Sequence, residues 1–236
     1  MKTILYTLLL FLLPNLFYAQ NQASVYYHNA LADEKKGDLK AAMEGINKSL
    51  ELVPTFDSAL YLRASLKCAD GNFRPAIKDL DKLIRVNRSY FDAWYLRGWA
   101  KGQLKDFAGS IWDLSKAIEL NKTYAKAWYN RALAKAFLEE YKDAIADLDK
   151  ALEINPTYIQ AWYSRGYWKD ISGDYSGAIV DYMKVVELDP QNREAYIAMA
   201  TAKYLKGDHE GACTDIKTAI DLGSLLAQEL KDKFCK

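Results

Sequence analysis

Arginine stands at Arg63, Arg97, Arg131 and Arg165, one every thirty-four residues, and an aspartate follows each after sixteen more, at Asp79, Asp113, Asp147 and Asp181. Guanidinium groups set out at one interval suit two kinds of chemistry. They can form a row that grips phosphates or carboxylates, or each can close a structural ion pair with its own aspartate. Every one of these arginines has an acid at the same offset, so the expectation is four ion pairs. Asp215 continues the acidic series opposite Met199, and Asn29 and Gly45 fill the two places at its head.

Little else along the chain suggests chemistry. His28 and His209 lie far apart, and Glu139 and Glu140 read as surface acids of a helix. No glycine-rich phosphate loop, H-E-x-x-H helix or nucleophile elbow occurs. Neither a catalytic set, a metal-ligand set nor a cofactor is therefore expected. The three cysteines, Cys68, Cys213 and Cys235, have no C-x-x-C spacing. Cys213 and Cys235 could bridge in an oxidising compartment or stay as two reduced thiols, while Cys68 has no partner in view.

The elements that would position these residues are helical. Half of the 236 residues are hydrophobic and 27% are charged, enough to bury a core, with only 12 glycines and 5 prolines to interrupt helices. The formal charge is +1, and neutrality argues against a nucleic-acid or anionic-membrane partner. The same interval of thirty-four runs through other positions. Tyr26, Leu60, Trp94, Trp128, Trp162 and Tyr196 form a large apolar series. Ala30, Ala64, Gly98, Ala132, Gly166 and Ala200 form a small one, as do Ala42, Ala76, Ser110, Ala144, Ala178 and Ala212. Counted from Ala23, these are positions 4, 8 and 20 of six repeats without insertion or deletion. Turn signals separate two helical stretches in each repeat, as in "KKGDLK" and "SGDYS", where glycine ends one helix and Asp can cap the next.

This pattern resembles the tetratricopeptide repeat, a thirty-four-residue helix–turn–helix with a large residue at position 4, small residues at 8 and 20, and proline at 32. Pro54, Pro156 and Pro190 match the last of these, whereas Arg88 and Lys122 depart from it. The resemblance implies an all-α, right-handed α-solenoid of six repeats at 23–56, 57–90, 91–124, 125–158, 159–192 and 193–223. An amphipathic helix at 224–236 would close it, with Leu225, Leu226, Leu230 and Phe234 as its apolar side.

In this family the first helix of each repeat lines a concave groove, at positions 2, 5, 9, 12 and 13. The residues so implied here are Tyr27, Tyr61, Tyr95, Tyr129 and Tyr163 at position 5, with Trp99, Leu133, Phe137 and Tyr167 beside them. Tyrosine at position 5 can equally pack between helices. A basic clamp for a terminal carboxylate is not expected, since only Lys126 and Asn130 approach the places it needs. The implied role is a non-catalytic scaffold that holds a partner's peptide or helix through aromatic anchors. Assembly through repeat ends or the convex face, or service as an accessory subunit of an enzyme complex, is the alternative. The sequence does not set the oligomeric state.

The first nineteen residues stand apart. Lys2, the apolar run "TILYTLLLFLL" and the small residue Ala19 read as a cleaved signal peptide, although Phe17 occupies a place usually held by a small residue. An uncleaved N-terminal anchor is the other reading. Export to a periplasmic or extracellular space is expected, with no membrane attachment after cleavage.

Overall fold

The computed structural model describes residues 2–235, with side chains from Phe17 to Cys235. The expected leader falls mostly on residues 1–16, whose side chains lie outside those described. Thirteen helices and no strand are found among the described residues, and none of those helices is long and apolar enough to cross a membrane.

The chain divides into two compact blocks, one ending at Leu120 and one beginning at Asn121. The N-terminal block holds α1 (Lys2–Lys35), α2 (Leu39–Leu52), α3 (Asp57–Ala69), α4 (Phe73–Val86), α5 (Phe91–Gln103) and α6 (Phe107–Leu120). The C-terminal block holds α7 (Ala125–Phe137), α8 (Tyr141–Ile154), α9 (Ile159–Ile171), α10 (Tyr175–Leu188), α11 (Arg193–Lys206), α12 (His209–Asp221) and α13 (Leu225–Phe234). Within each block the helices pack in antiparallel-style pairs, odd with following even, and each pair contacts the next. The fold is all-α.

Small residues decide how closely the paired helices approach. A Cβ on Gly98 would come within 2.8 Å of Leu114, and one on Gly166 within 2.9 Å of the Tyr182 ring. Glycine at Gly166 is what admits a fully buried tyrosine at position 24, where most repeats have leucine or isoleucine. Ala64, Ala132 and Ala200 do the same job opposite smaller partners, and all are fully buried.

The turns follow the sequence signals with exceptions. Asp38, Asp106, Asp174 and Asp208 each accept a hydrogen bond from a backbone N–H three residues on, at 2.9–3.0 Å, so four second helices are capped. Asn72 makes no such bond; its side-chain amide turns to Asp70 instead. Gly37, Gly71, Gly173 and Gly207 take the left-handed conformation that ends the first helix. Where the repeats lack glycine, Lys105 and Glu139 are driven into it at φ 63°, against the steric preference of any residue with a Cβ. His209 begins α12 and sets its ring against Tyr204, 4.6 Å between centroids.

The last helix is seated differently from its expected pattern. Ala227 and Phe234 are buried against α11 and α12, whereas Leu225 and Leu226 face solvent. Ser224 caps it through Ala227 N–H. A disulfide joins Cys213 of α12 to Cys235 just beyond α13, and Cys68 is a buried free thiol.

Candidate functional site

The arginine–aspartate ladder forms between the two helices of a repeat. Arg63, Arg97, Arg131 and Arg165 each donate through Nε and Nη2 to both oxygens of Asp79, Asp113, Asp147 and Asp181, at 2.6–2.9 Å. Two further partners extend the pairs. The lysine one helical turn beyond each arginine reaches the same carboxylate, giving Lys67–Asp79, Lys101–Asp113, Lys135–Asp147 and Lys169–Asp181 at 2.6–2.9 Å. The remaining nitrogen, Nη1, reaches back to the second helix of the preceding repeat: Arg63 to Asn47 (2.8 Å), Arg97 to Asp81 (2.7 Å) and Arg165 to Asp149 (2.6 Å). Each guanidinium of the last three repeats of the series also lies over a tryptophan ring, 4.6–4.8 Å from Trp94, Trp128 and Trp162.

Those tryptophans are fixed at their other end. Their indole N–H groups donate to the carbonyls of Arg88, Lys122 and Pro156 at 2.8–2.9 Å. Arg97 and Arg165 thus hold two acids and an aromatic face, Arg63 an acid and an amide, and Arg131 an acid and an aromatic face, so the series is not a free anion-binding row. Burial of Asp79 favours its neutral form, but hydrogen bonds from Arg63 and Lys67 outweigh that and hold its carboxyl below the usual range. Asp215 shows the opposite balance. Met199 replaces the arginine, Lys203 alone reaches the carboxylate at 2.6 Å, and burial pushes its pKa up.

The tyrosines of position 5 divide their surface between packing and solvent. All are half-buried. Tyr27 rests on Phe56, Tyr61 on Tyr90 and Tyr129 on Tyr158, with centroids 5.3, 5.4 and 4.9 Å apart. The partners are the residues just ahead of the next repeat's first helix. Tyr163 rests on Tyr182 instead, at 5.5 Å. The stacking leaves Tyr158 with a phenol pushed up to about 12 by burial. Trp99 is half-buried edge-on to Phe73 at 5.5 Å, and Leu133 is half-buried.

The most exposed groove candidates lie one turn further along. Position 13 is Phe137 on α7, Ile171 on α9 and Leu205 on α11, with 63%, 48% and 53% of their surfaces open to solvent. Tyr167, at position 9 of α9, is 44% exposed and stands edge-on to Trp168 at 4.8 Å. In the N-terminal block the same position reads Lys35, Ala69 and Gln103. The C-terminal block therefore carries a row of large apolar side chains at one repeat position on three successive first helices. Next to that row, burial raises the Asp170 carboxyl.

Three family models, each described as a tetratricopeptide repeat, match residues 61–119, 125–158 and 159–192. The chain is a tetratricopeptide-repeat protein. Among solved structures, this tetratricopeptide-repeat chain is similar to the MamA protein, with 25% identity over 76% of this chain and 96% of that one and a TM-score of 0.66. It shares its fold with YrrB, described as a tetratricopeptide-repeat protein with an unusual peptide-binding site, at 21% identity over 80% and 99% of the two chains and a TM-score of 0.70. It shares it also with the PilF protein of Pseudomonas aeruginosa, at 16% identity over 91% and 99% and a TM-score of 0.75. No curated protein matches the sequence.

Proposed function

We propose that the protein is an exported, non-catalytic scaffold that holds a segment of a partner protein against the first helices of its C-terminal block. The observation that carries this reading is the row Phe137, Ile171 and Leu205, with Tyr167 beside it. Exposed apolar side chains scattered singly are ordinary, but three at one repeat position form a strip, and such strips mark interaction surfaces. The strip is carried on a frame held by ion pairs, caps and a disulfide, and its side chains stay about half or more exposed. A segment with apolar or aromatic anchors at a matching pitch would bury them, and the tyrosine hydroxyls could orient it.

Export rests on two supports. The first is the leader-like residues 1–19, and the second is the Cys213–Cys235 bond, which persists in oxidising compartments and is rare in reducing ones. Peptide binding by YrrB, a protein of the same fold, is an analogy that raises the expectation without transferring a ligand.

The test is a triple variant, Phe137→Ser, Ile171→Ser and Leu205→Ser, screened beside the wild type against a displayed peptide library. Peptides with apolar or aromatic anchors should enrich on the wild type and not on the variant, whose helicity by circular dichroism should match the wild type at the screening temperature. Equal enrichment on both proteins would refute the strip as the binding face.

A further inference from the structure

The second helices carry an exposed lysine–acid pair at positions 26 and 29: Lys116–Glu119, Lys150–Glu153 and Lys184–Glu187, at 2.6–2.7 Å. Position 29 is acidic in five repeats, as Glu51, Glu119, Glu153, Glu187 and Asp221, and is Arg85 in the remaining one. Three residues later Arg88 holds the place that is proline in three repeats. Position 22, which is Glu44, Lys78, Ala146, Val180 or Thr214 elsewhere, is Trp112 on α6.

These three departures meet in space. Arg85 at the end of α4, Arg88 in the connection to α5, and Trp112 line one open cavity of about 640 Å³, with Ile84, Trp94 and Leu120 completing its apolar wall. Trp112 is 53% exposed and stands edge-on to Trp94, 5.3 Å between centroids. The acids at the rim are already engaged: Asp81 by Arg97 at 2.7 Å and Glu119 by Lys116 at 2.7 Å. Arg85 and Arg88 are exposed, and no carboxylate of the described residues lies within ion-pair distance of either.

We propose that this cavity is a docking site for an acidic peptide segment with an aromatic or large aliphatic anchor. The anchor lies on the exposed face of Trp112, with the buried Trp94 behind it, where it buries apolar area at small entropic cost, and flanking carboxylates reach Arg85 and Arg88. Charge complementarity selects the occupant. At this place one repeat's usual acid is replaced by a cation, and the acid that remains at the rim, Glu119, is held by Lys116, so the cavity favours an acidic segment. Two guanidiniums beside a walled aromatic pocket fit a short peptide better than the broad cationic face that a membrane or nucleic acid needs. The site shares no residue with the first-helix strip of the C-terminal block and does not depend on it.

The test uses the whole chain and a dye-labelled peptide in which phenylalanine is flanked by two glutamates on each side, read by fluorescence polarisation. A peptide with lysines in place of the glutamates is the control. The acidic peptide should bind at least ten-fold more tightly than the lysine peptide. Arg85→Glu, which installs the charge found in the other repeats, and Trp112→Ala should each weaken it at least ten-fold. Both positions are exposed, so circular dichroism should match the wild type. The triple strip variant Phe137→Ser, Ile171→Ser, Leu205→Ser should leave the affinity unchanged. Equal binding of the two peptides, indifference to Arg85→Glu, loss of binding in the strip variant, or equally tight Arg85-dependent binding of phosphatidylserine vesicles would each overturn the proposal.

Discussion

Asp113 is the place to ask whether the ladder stabilises the repeat. Its carboxylate is fully buried and receives Arg97 at 2.7 and 2.8 Å and Lys101 at 2.9 Å. Replacing it with alanine leaves two cations facing a cavity from which their shared counter-charge has gone. Removing one partner of a buried pair costs roughly 3–5 kcal/mol. Two features of the site place this case near the lower end. Arg97 keeps Asp81 at 2.7 Å, and Lys101, 22% exposed along its side chain, can swing its ammonium toward water. A loss of about 3 kcal/mol is therefore expected for Asp113→Ala by the same reckoning.

Arg97→Ala removes the pair, the link to Asp81 and the contact over Trp94, yet Asp113 keeps Lys101. Its cost should be of similar size. The double variant should lose clearly less than the sum of the two, with a coupling of roughly 1–3 kcal/mol between groups in direct contact. Urea unfolding followed by circular dichroism at pH 7 measures all four proteins. Additive losses, or an Asp113→Ala variant within 0.5 kcal/mol of the wild type as a rough threshold for surface changes, would refute the pairing as a stabilising device.

Acid and base should act oppositely on two aspartates. Asp79 is held below the usual carboxylate range, so its contribution exists at neutral pH and is lost as pH falls through that range, whereas Asp215 is raised, so its contribution exists in acid and is lost as pH rises. Asp215→Asn should therefore be better tolerated at pH 7 than Asp79→Asn, with the gap closing below about pH 4; equal losses at pH 7 would contradict this. Gly166→Ala should cost about 1–3 kcal/mol through collision with the buried Tyr182 ring, and Gly166→Ala with Tyr182→Leu should recover most of it. Cys213→Ser should destabilise the α12–α13 segment by about 3 kcal/mol, the entropy of a loop of this length, seen as faster trypsin cleavage at Lys231 and Lys233. Cleavage at the wild-type rate would show that Phe234 and Ala227 hold α13 without the bond.

Much of the frame was legible because a repeat writes its packing rules six times. The spacing of Arg97 and Asp113 showed which helix faces meet, and across them Gly98 packs on Leu114 while the small Ser110 lies by Gly102. Other partners were written in the same step and went unread. Lys67, Lys101, Lys135, Lys169 and Lys203 recur as regularly as the arginines, but only one helical turn away, so their role emerges once both residues are placed on one helix face. Phe56, Tyr90 and Tyr158 recur just ahead of the next repeat, and their stacking on the position-5 tyrosines turns part of the expected groove track into packing.

Periodicity in residue type was sufficient by itself to determine the helical pairs, their tight crossings and the existence of an arginine–aspartate series, because those depend on contacts repeated at a constant offset. It did not determine which apolar residues stay uncovered. The family resemblance placed position 13, and so Phe137, in the groove, but residue type alone does not set Phe137, Ile171, Leu205, Trp112 or Leu225 apart from core residues, and the packed helices are what leave them open. Exposure is a property of what lies opposite a side chain, and that is settled by the three-dimensional neighbours rather than by the residue. The same holds for Arg85 and Arg88, ordinary surface cations in sequence, which become a paired feature only where α4 and α6 bring them to one cavity with Trp112.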